Sequence, residues 1–532
     1  MAAIGRRDAE TVYQFVARLA ALQPGSVAIR CRGRQSLDYS GLLHAVTDTK
    51  QALHELGLGR SDRVAIVAPN GPEMALMLLG VMACATCAPL NPRYTVAEFA
   101  YYLSDLRARA VILPQGLEST VRDAARNLDI QLVELSVRDQ ARIGQIRLSA
   151  VNLPGDEGPG PGARSPDPFS MPEAGDIALV LHTSGTTSRP KLVPLTHGNV
   201  CTSARNIVET LQLTGRDCGL SIMPLFHVHG IVAGLLSPIL SGGSVVCSPG
   251  FSDEPFFAAQ FPSWLQQMQP SWYTAVPSMH QAILSCAKRY PEIIEQSQLR
   301  FIRSSSAPLA PQIMLALEET FGVPVIEAYG MTEASHQLAS NPLPPASRKP
   351  GSVGKATGCK VAIMDSEGCM LPTGEAGEIV IQGANVMAAY ENNDAANKEA
   401  FRGEWFRTGD EGLLDDERYL FITGRLKELI NRAGEKISPR EIEEALLQHP
   451  AVVQAVAFAF PHPTLDEVPA AAVVLRRGHE VESRILQDFL AAKLAAFKIP
   501  SPIVFVDEIP RGPTGKLQRI GLAERLLAEG KT

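Results

Sequence analysis

The chain has 532 residues, and its 45% hydrophobic and 20% charged fractions are those of an ordinary globular protein, which excludes a disordered or fibrous chain. A length of this order predicts a large body with a sizeable core, plus at least one smaller module. The net charge of −7 argues against nucleic acid as the main partner.

The nine cysteines lack the dense pattern of a disulfide framework and are predicted to be reduced thiols. Cys84 and Cys87 form a C-x-x-C pair within an apolar run, but no second pair accompanies them. Buried core thiols are therefore favoured over a zinc or redox site. The same uncharged run, residues 74–90, is slightly short of a membrane span and predicts a buried core helix. Because neither a secretory signal nor a peroxisomal address is recognisable, we expect a cytoplasmic protein.

The first part of the chain alternates between two periodicities. Apolar runs typical of strands occur at residues 64–67, 110–113 and 131–135, and a helical pattern occupies residues 95–105. This alternation predicts layers of α/β structure built on largely parallel strands. Residues 152–176 are rich in Gly, Pro, Asp and Ser and predict an irregular connection.

A candidate phosphate-binding loop follows that connection. A predicted strand at residues 177–181 leads into TSGTTSRPK, residues 183–191, and a helix is predicted at residues 196–213. Small and hydroxyl residues allow backbone N–H groups to surround phosphate oxygens, and Lys191 adds a compact charge. The loop is not a Walker A motif, because Pro190 and Leu192 replace its second Gly and its Ser or Thr. By composition alone, a solvated Ser/Thr turn would be the favoured interpretation of this loop.

The end of the chain predicts a small separate unit. Ser438, Pro439 and Glu441 have the spacing of a capping box that opens a helix running to about residue 448. Strands are predicted near residues 453–460 and 470–475, and a helix near residues 481–494, as a βαβ-type tail. We therefore expect a large N-terminal domain over residues 1–424 and a small C-terminal domain over residues 425–532.

Four further segments give the loop its context. They are EAYGMTE (327–333), WFRTGD (405–410), GRLKE (424–428) and PRGPTGK (510–516). Together with the loop, these segments resemble, in order and spacing, the adenylate-forming superfamily of acyl-CoA synthetases, carrier-loading adenylation domains and luciferases. The resemblance spans essentially the whole chain. It implies an α/β fold with a large, multi-subdomain N-terminal domain of layered sheets and a small, mobile α+β C-terminal domain.

The resemblance also implies a set of ATP contacts. Tyr329 would stack on adenine, Thr332 would touch the α-phosphate, Glu333 would hold Mg²⁺, and Asp410 and Arg425 would bind the ribose. Further nucleotide-binding residues would be Thr183, Ser184, Gly185, Thr186, Thr187 and Lys191 at the phosphates and Ser306, Ala307, Pro308, Glu327 and Ala328 at the adenine.

Catalysis and thioester formation would involve the C-terminal domain. Lys516 would bring positive charge to the α-phosphate, where a carboxylate attacks and pyrophosphate leaves. Lys427 would be the hinge about which the domain rotates, and Gly434 and Lys436 would border the path of coenzyme A. His227 would gate the incoming acyl group.

The acyl pocket narrows the resemblance to the oxalate:CoA ligases of plants and fungi, through PLFHVHG (224–230), FIRSSSA (301–307) and MTEASH (331–336). Oxalate is small and dianionic, so its second carboxylate needs hydrogen-bond donors. Ser305 would shorten the pocket and add a hydroxyl. His229 and His336 would donate to the distal carboxylate, whose charge would favour their protonated forms. Leu192 departs from the family, whose members usually carry Gly there, and would be strained if the backbone needed positive φ.

The sequence thus predicts an acid–thiol ligase that converts oxalate, ATP and coenzyme A to oxalyl-CoA, AMP and pyrophosphate, with Mg²⁺. Three alternatives remain open. The acid could be another short or medium-chain carboxylic acid, the acceptor could be a carrier protein, or the chain could be a non-catalytic nucleotide-binding descendant. Neither nucleic acid nor a membrane span is expected, and the protein is expected to be a monomer or a homodimer.

Overall fold

The computed structural model describes residues 10–151, 170–183, 190–250, 254–433, 435–510, 519 and 521–528. Within these ranges the chain is a mixed α/β protein, with three layered sheets in a large N-terminal part and a fourth sheet in a smaller C-terminal part. The strands, numbered along the chain, are β1 (Val27–Arg30), β2 (Leu37–Asp38), β3 (Arg63–Ile66), β4 (Thr86–Pro89), β5 (Ala110–Pro114), β6 (Gln131–Val137), β7 (Ile146–Ala150), β8 (Ile177–Thr183), β9 (Lys191–Thr196), β10 (Cys218–Ser221), β11 (Ser244–Cys247), β12 (Trp272–Ala275), β13 (Phe301–Ser305), β14 (Val325–Met331), β15 (His336–Ser340), β16 (Lys355–Ala356), β17 (Lys360–Met364), β18 (Gly377–Gln382), β19 (Phe401–Arg402), β20 (Trp405–Leu414), β21 (Leu420–Arg425), β22 (Ile430–Arg432), β23 (Glu435–Ile437), β24 (Val452–His462), β25 (Asp466–Leu475) and β26 (Ile503–Phe505).

The helices begin mostly at residues that supply a cap or a fixed φ. Thr95 and Thr196, for example, each complete a capping box and so satisfy backbone N–H groups of the first turn. The α-helices are α1 (Val12–Leu22), α2 (Tyr39–Glu55), α3 (Pro72–Met82), α4 (Val96–Leu106), α5 (Val121–Asn127), α6 (His197–Thr210), α7 (Ser237–Leu240), α8 (Glu254–Met268), α9 (Pro277–Ala287), α10 (Pro291–Glu295), α11 (Pro311–Phe321), α12 (Asp394–Ala400), α13 (Pro439–Leu446), α14 (Ser483–Ala491) and α15 (Leu522–Ala528). A π-helix spans His229–Leu236, and 3₁₀-helices span Thr332–Ala334, Leu426–Glu428 and Ala496–Lys498.

The first two sheets are mainly parallel, as the alternating pattern predicts. Seven strands pair in the order β7-β6-β5-β3-β4-β8-β9, and only the outer strands β7 and β9 run antiparallel to their neighbours. Nine strands pair in the order β16-β15-β14-β13-β12-β10-β11-β1-β2, with six parallel strands from β14 to β1. Strands of this kind are buried on both faces, which explains their nearly continuous apolar sequences. One hydrophobic cluster joins the two sheets and the helices between them.

The other two sheets complete the molecule. Strands β17, β18, β20, β19 and β21 form an antiparallel sheet that ends at Arg425. The C-terminal sheet has the order β23-β22-β25-β24, and β26 pairs parallel to β25. The connection from β25 through α14 to β26 is therefore the βαβ unit that the sequence predicts, whereas β24 and β25 form an antiparallel hairpin.

Two local predictions need correction. Residues 74–90 are buried, but the run folds as the end of α3 followed by β4 and is not one helix. The β-branched Thr86 and the strand-ending Pro89 do not favour a helix continuing through this run. At the start of α13, Ser438 does not cap the helix, because its hydroxyl donates to the carbonyl of Thr423 at 2.6 Å. Glu441 pairs instead with Lys498.

The thiols of Cys84 and Cys87 are buried, as predicted, and burial raises the pKa of both, that of Cys84 to about 12. Across the described ranges, no group of three or more His, Cys, Asp and Glu side chains is arranged to hold a metal ion. No described helix combines the length and the apolar character needed to cross a bilayer.

Candidate active site

The hairpin of β8 and β9 brackets the predicted phosphate loop. Thr183 ends β8 and lies directly opposite Lys191, the first residue of β9. Ser184, Gly185, Thr186 and Thr187 lie outside the described residues. Leu192 is not strained, because it continues β9 opposite His182 with 3% of its surface exposed and is not among the described residues with positive φ. A buried apolar side chain therefore fits this position, because the positive φ that would strain a leucine is not required here.

A buried carboxylate lies next to this hairpin. Glu333 is in the 3₁₀-helix that follows β14 and is 7% exposed. The hydroxyl of Tyr390 donates to its Oε1 at 2.8 Å, and burial raises the pKa of the carboxyl group. The Lys191 ammonium stands 4.4 Å from the centre of the Tyr390 ring. Tyr390 thus joins the predicted magnesium ligand to the predicted phosphate-binding lysine, a role that the sequence reasoning missed.

Three predicted nucleotide residues meet at the third sheet. Asp410 in β20 and Arg425 in β21 are cross-strand neighbours, and the Arg425 Nε lies 3.0 Å from Asp410 Oδ1. The hydroxyl of Tyr329 donates to Asp410 Oδ2 at 2.5 Å. This arrangement fixes the ring of Tyr329 and leaves an anionic acceptor beside it, which suits an adenine ring and a ribose.

The expected adenine-binding residues lie at the carboxyl ends of β13 and β14, where ligands of open α/β sheets bind. Ala328 pairs with Ser305, and Ser306, Ala307 and Pro308 form the segment immediately after β13. Glu327 is 2% exposed and accepts the N–H of Leu309 at 3.1 Å, which holds this segment against β14.

Glu327 should give the protein a pH-dependent stability. Burial raises its pKa to about 7, from 4.5 when solvated. Because the folded state binds this proton more tightly, the stabilising contribution is complete below about pH 4.5 and is lost as the pH rises through about 7. Relative to Glu327→Gln, the wild-type free energy of unfolding should fall by about 3 kcal/mol or less across that interval. Urea unfolding at several pH values checks this. Glu399→Gln, at an exposed carboxylate, is the control, and parallel curves for wild type and Glu327→Gln would contradict the prediction.

The residues predicted to line an acyl pocket form a chain of polar contacts. His229 begins the π-helix and is 2% exposed. Its Nδ1 lies 3.0 Å from the hydroxyl of Ser306, and its Nε2 lies 2.7 Å from the hydroxyl of Thr274. The ring of His336 stacks on His229 with centroids 4.6 Å apart. His227, two residues before His229, and Thr332, four residues before His336, are both half-buried. The ring of His227 packs against that of Phe226.

The hydrogen bonds around His229 favour one tautomer of its ring. Arg303 Nη1 lies 3.4 Å from His229 Nε2, and a guanidinium can only donate. Nε2 therefore faces donors and acts as an acceptor, which places the ring proton on Nδ1 of a neutral imidazole. The hydroxyl of Ser305 donates to the carbonyl of Ala328 at 2.9 Å.

The predicted hinge and coenzyme A residues lie in the C-terminal part. Lys427 is exposed in the 3₁₀-helix after β21, and Lys436 is exposed in β23, opposite Asn431. In the described part of the chain, no hydrogen bond joins either lysine to the nucleotide residues. Gly434 and Lys516 lie outside the described residues.

Comparison with known proteins gives a match over most of the chain. The family model of AMP-binding enzymes matches residues 16–391, and that of the AMP-binding enzyme C-terminal domain matches residues 441–516. An oxalate–CoA ligase of Arabidopsis thaliana is 40% identical, covering 98% of this chain and 99% of the relative. An oxalate–CoA ligase of Saccharomyces cerevisiae is 43% identical over 87% of each chain. The crystal structure of ATP-bound MatB from Rhodopseudomonas palustris superposes with a TM-score of 0.83 at 27% identity, covering 97% of this chain and 99% of that one.

Proposed function

Because the chain belongs to the family of AMP-binding enzymes, we propose that it is an ATP-dependent carboxylate–CoA ligase whose substrate is oxalate. The main support for oxalate as the substrate is the similarity, over most of the chain, to two oxalate–CoA ligases at 40% and 43% identity. The polar and cationic lining around His229 supports it, since a fatty acid would need an apolar tunnel.

In this proposal, the base and ribose of ATP bind beside the third sheet, and its phosphates bind at the β8–β9 hairpin. Tyr329 stacks on adenine, Asp410 and Arg425 hold the ribose, and Lys191 meets the phosphates. The segment of Ser306 to Pro308 borders the base. The ATP-bound structure that superposes on this chain supports a nucleotide in this fold.

The residues around Glu333 fit a magnesium ion bound together with the phosphates of ATP. Mg²⁺ is usually held by one or two carboxylates together with phosphate oxygens and waters, so a dedicated cluster of protein ligands is not needed. Glu333 supplies one buried carboxylate, which Tyr390 orients beside Lys191. The ion would neutralise phosphate charge there.

The reaction then has two steps. A carboxylate oxygen of oxalate attacks the α-phosphorus, the bond to the β-phosphate oxygen breaks, and pyrophosphate leaves, with Thr332 and Lys516 stabilising the added charge. The coenzyme A thiolate next attacks the acyl carbon and AMP leaves. His227 closes the pocket towards the acyl group.

We also propose the division of labour between the two parts. The boundary lies between residues 424 and 425, Lys427 is the hinge, and Gly434 and Lys436 meet coenzyme A after rotation. Ser438 and Arg440 donate to the carbonyls of Thr423 and Ile422, so rotation would break these two hydrogen bonds between the parts. The cytoplasmic location remains a proposal, which cell fractionation tests.

An ATP–pyrophosphate exchange panel tests the function. We expect exchange with oxalate to exceed that with malonate, acetate, a medium-chain fatty acid and an aromatic acid, and thioester and AMP to appear once coenzyme A is added. Exchange with a fatty acid but none with oxalate would overturn the substrate. Exchange with oxalate but no thioester with free coenzyme A would favour a carrier protein as acceptor.

A further inference from the structure

Arg303 is a fully buried cation in the middle of the nine-stranded sheet. It lies in β13 with 0% of its surface exposed, and its side chain reaches β12 on one side and β15, the strand beyond β14, on the other. Nη1 donates to the hydroxyl of Thr274 at 3.1 Å, and Nη2 donates to Oε1 of Gln337 at 2.9 Å. Its contacts within the described residues are neutral groups. Burial alone lowers its pKa, to about 9, with no carboxylate offsetting the shift.

A charge in this position is costly unless something negative compensates it. Desolvation penalises a buried ion strongly, and a hydrophobic side chain of similar volume often serves stability better. The nearby Arg300 illustrates the usual solution, because it pairs with Asp217 at 3.1 Å and remains partly exposed. Arg303 therefore gives the interior a positive potential that the described protein groups do not neutralise.

A chain of hydrogen bonds links Arg303 to Ser306 at the predicted pocket. Arg303 donates to Thr274, so the single hydroxyl hydrogen of Thr274 is directed to His229 Nε2, 2.7 Å away. With Nε2 accepting, Nδ1 carries the proton and donates to Ser306 Oγ at 3.0 Å. The Ser306 hydroxyl therefore accepts a hydrogen bond from His229, and its own hydrogen can be donated to another group. Each group along the line is oriented by the one behind it.

The backbone of Ser306 supports a role at the site. It has a φ of +73°, a left-handed conformation that a non-glycine residue adopts only at an energetic cost. The residue is half-buried, and it follows β13 directly, at the carboxyl edge where the substrate is expected. The bond from His229 holds its hydroxyl in this orientation.

We propose that Arg303 is the positioning residue that makes the pocket select a dianionic acid, acting through Thr274, His229 and Ser306 on the second carboxylate of the substrate. The inference rests on the proposed function. Arg303 does not need to touch the acid, because its charge acts across a dry interior and its donors fix the direction of the chain. A bound dianion supplies the compensating charge that the protein does not.

Oxamate provides the matched probe, because it has nearly the shape of oxalate but carries one charge fewer. The KM of oxalate is measured by ATP–pyrophosphate exchange, and the Ki of oxamate by competition in the same assay. In Arg303→Met we expect the KM of oxalate to rise at least about tenfold, from loss of one nearby charge, while the Ki of oxamate changes by less than about threefold. The same assay on Thr274→Val, which keeps the charge but interrupts the chain, should give a smaller rise for oxalate in the same direction.

Arg300→Met is the control. It removes an arginine just before β13, but one whose charge is already balanced by Asp217. It should alter the two constants equally or not at all. Equal loss of oxalate and oxamate binding in Arg303→Met would assign Arg303 a merely structural role and overturn the inference. If Arg303→Met is insoluble, an unchanged ratio in Thr274→Val overturns it instead. A wild-type protein that does not exchange with oxalate refutes the proposed function, which is a separate outcome.

Discussion

Lys516→Ala is expected to slow oxalate-dependent ATP–pyrophosphate exchange by about 10²- to 10³-fold, the loss typical when a charge-stabilising donor is removed. Oxalate and ATP are both anions, so the attack on the α-phosphorus brings like charges together. A fixed cation beside that phosphate lowers the barrier. Lys516 lies outside the described residues, and the prediction rests on the PRGPTGK segment and on the C-terminal family match that ends at residue 516.

The second half-reaction separates this role from a general defect. Lys516→Ala should still convert chemically prepared oxalyl adenylate and coenzyme A to thioester at a rate close to that of the wild type. Lys493→Ala, which removes a lysine bonded to Gln448 in the same domain, is the control and should leave both steps unchanged. Undiminished pyrophosphate exchange in Lys516→Ala would rule out the proposed mechanism.

Glu333→Gln should reduce the adenylation rate by about 10²-fold, because a neutral amide is a poor magnesium ligand and no longer balances Lys191. A second variant, Tyr390→Phe, should have a milder effect on the same carboxylate. Tyr390→Phe keeps the carboxylate and the ring next to Lys191 but removes the hydrogen bond to Glu333. We expect it to cost about tenfold, the lower end of the range for one hydrogen bond to a charged group.

Magnesium titrations distinguish the two variants. The rate of Tyr390→Phe should recover towards the wild type as the magnesium concentration rises, because its carboxylate is present but poorly oriented. Glu333→Gln should not recover. A Glu333→Gln enzyme with wild-type magnesium dependence would mean that another group holds the ion.

The regular elements were predictable from local sequence. The strands at residues 110–113 and 131–135 and the helix at residues 95–105 correspond to β5, β6 and α4, since apolar runs and caps determine them locally. The run at residues 74–90 was predicted wrongly because periodicity does not separate a buried helix from a buried strand. The missing cap at Ser438 reflects a tertiary competitor, the carbonyl of Thr423, which no local pattern reveals.

The site was predicted unevenly for a similar reason. Motif residues such as Tyr329, Asp410 and Arg425 lie together in the structure as the resemblance implies. The contributions of Tyr390 and Arg303 depend on contacts between distant segments, which the sequence does not display. One signal was available, because Arg303 is the only charged residue of the strand Phe301–Ser305, and arginine is seldom found in buried strands.

The β14–β15 hairpin serves both halves of the site. In the proposed function it carries Tyr329 and Glu333 towards the nucleotide and His336 towards the acid. It is packed so closely that a Cβ on Gly330 would lie 1.6 Å from the His336 carbonyl oxygen. The two strands are in close backbone contact at this point. We therefore expect occupancy by the acid to affect the ATP contacts, and thermodynamic linkage requires the reverse effect to be equally large. Such coupling would hold the nucleotide in its reactive pose chiefly when an acid is there to receive it.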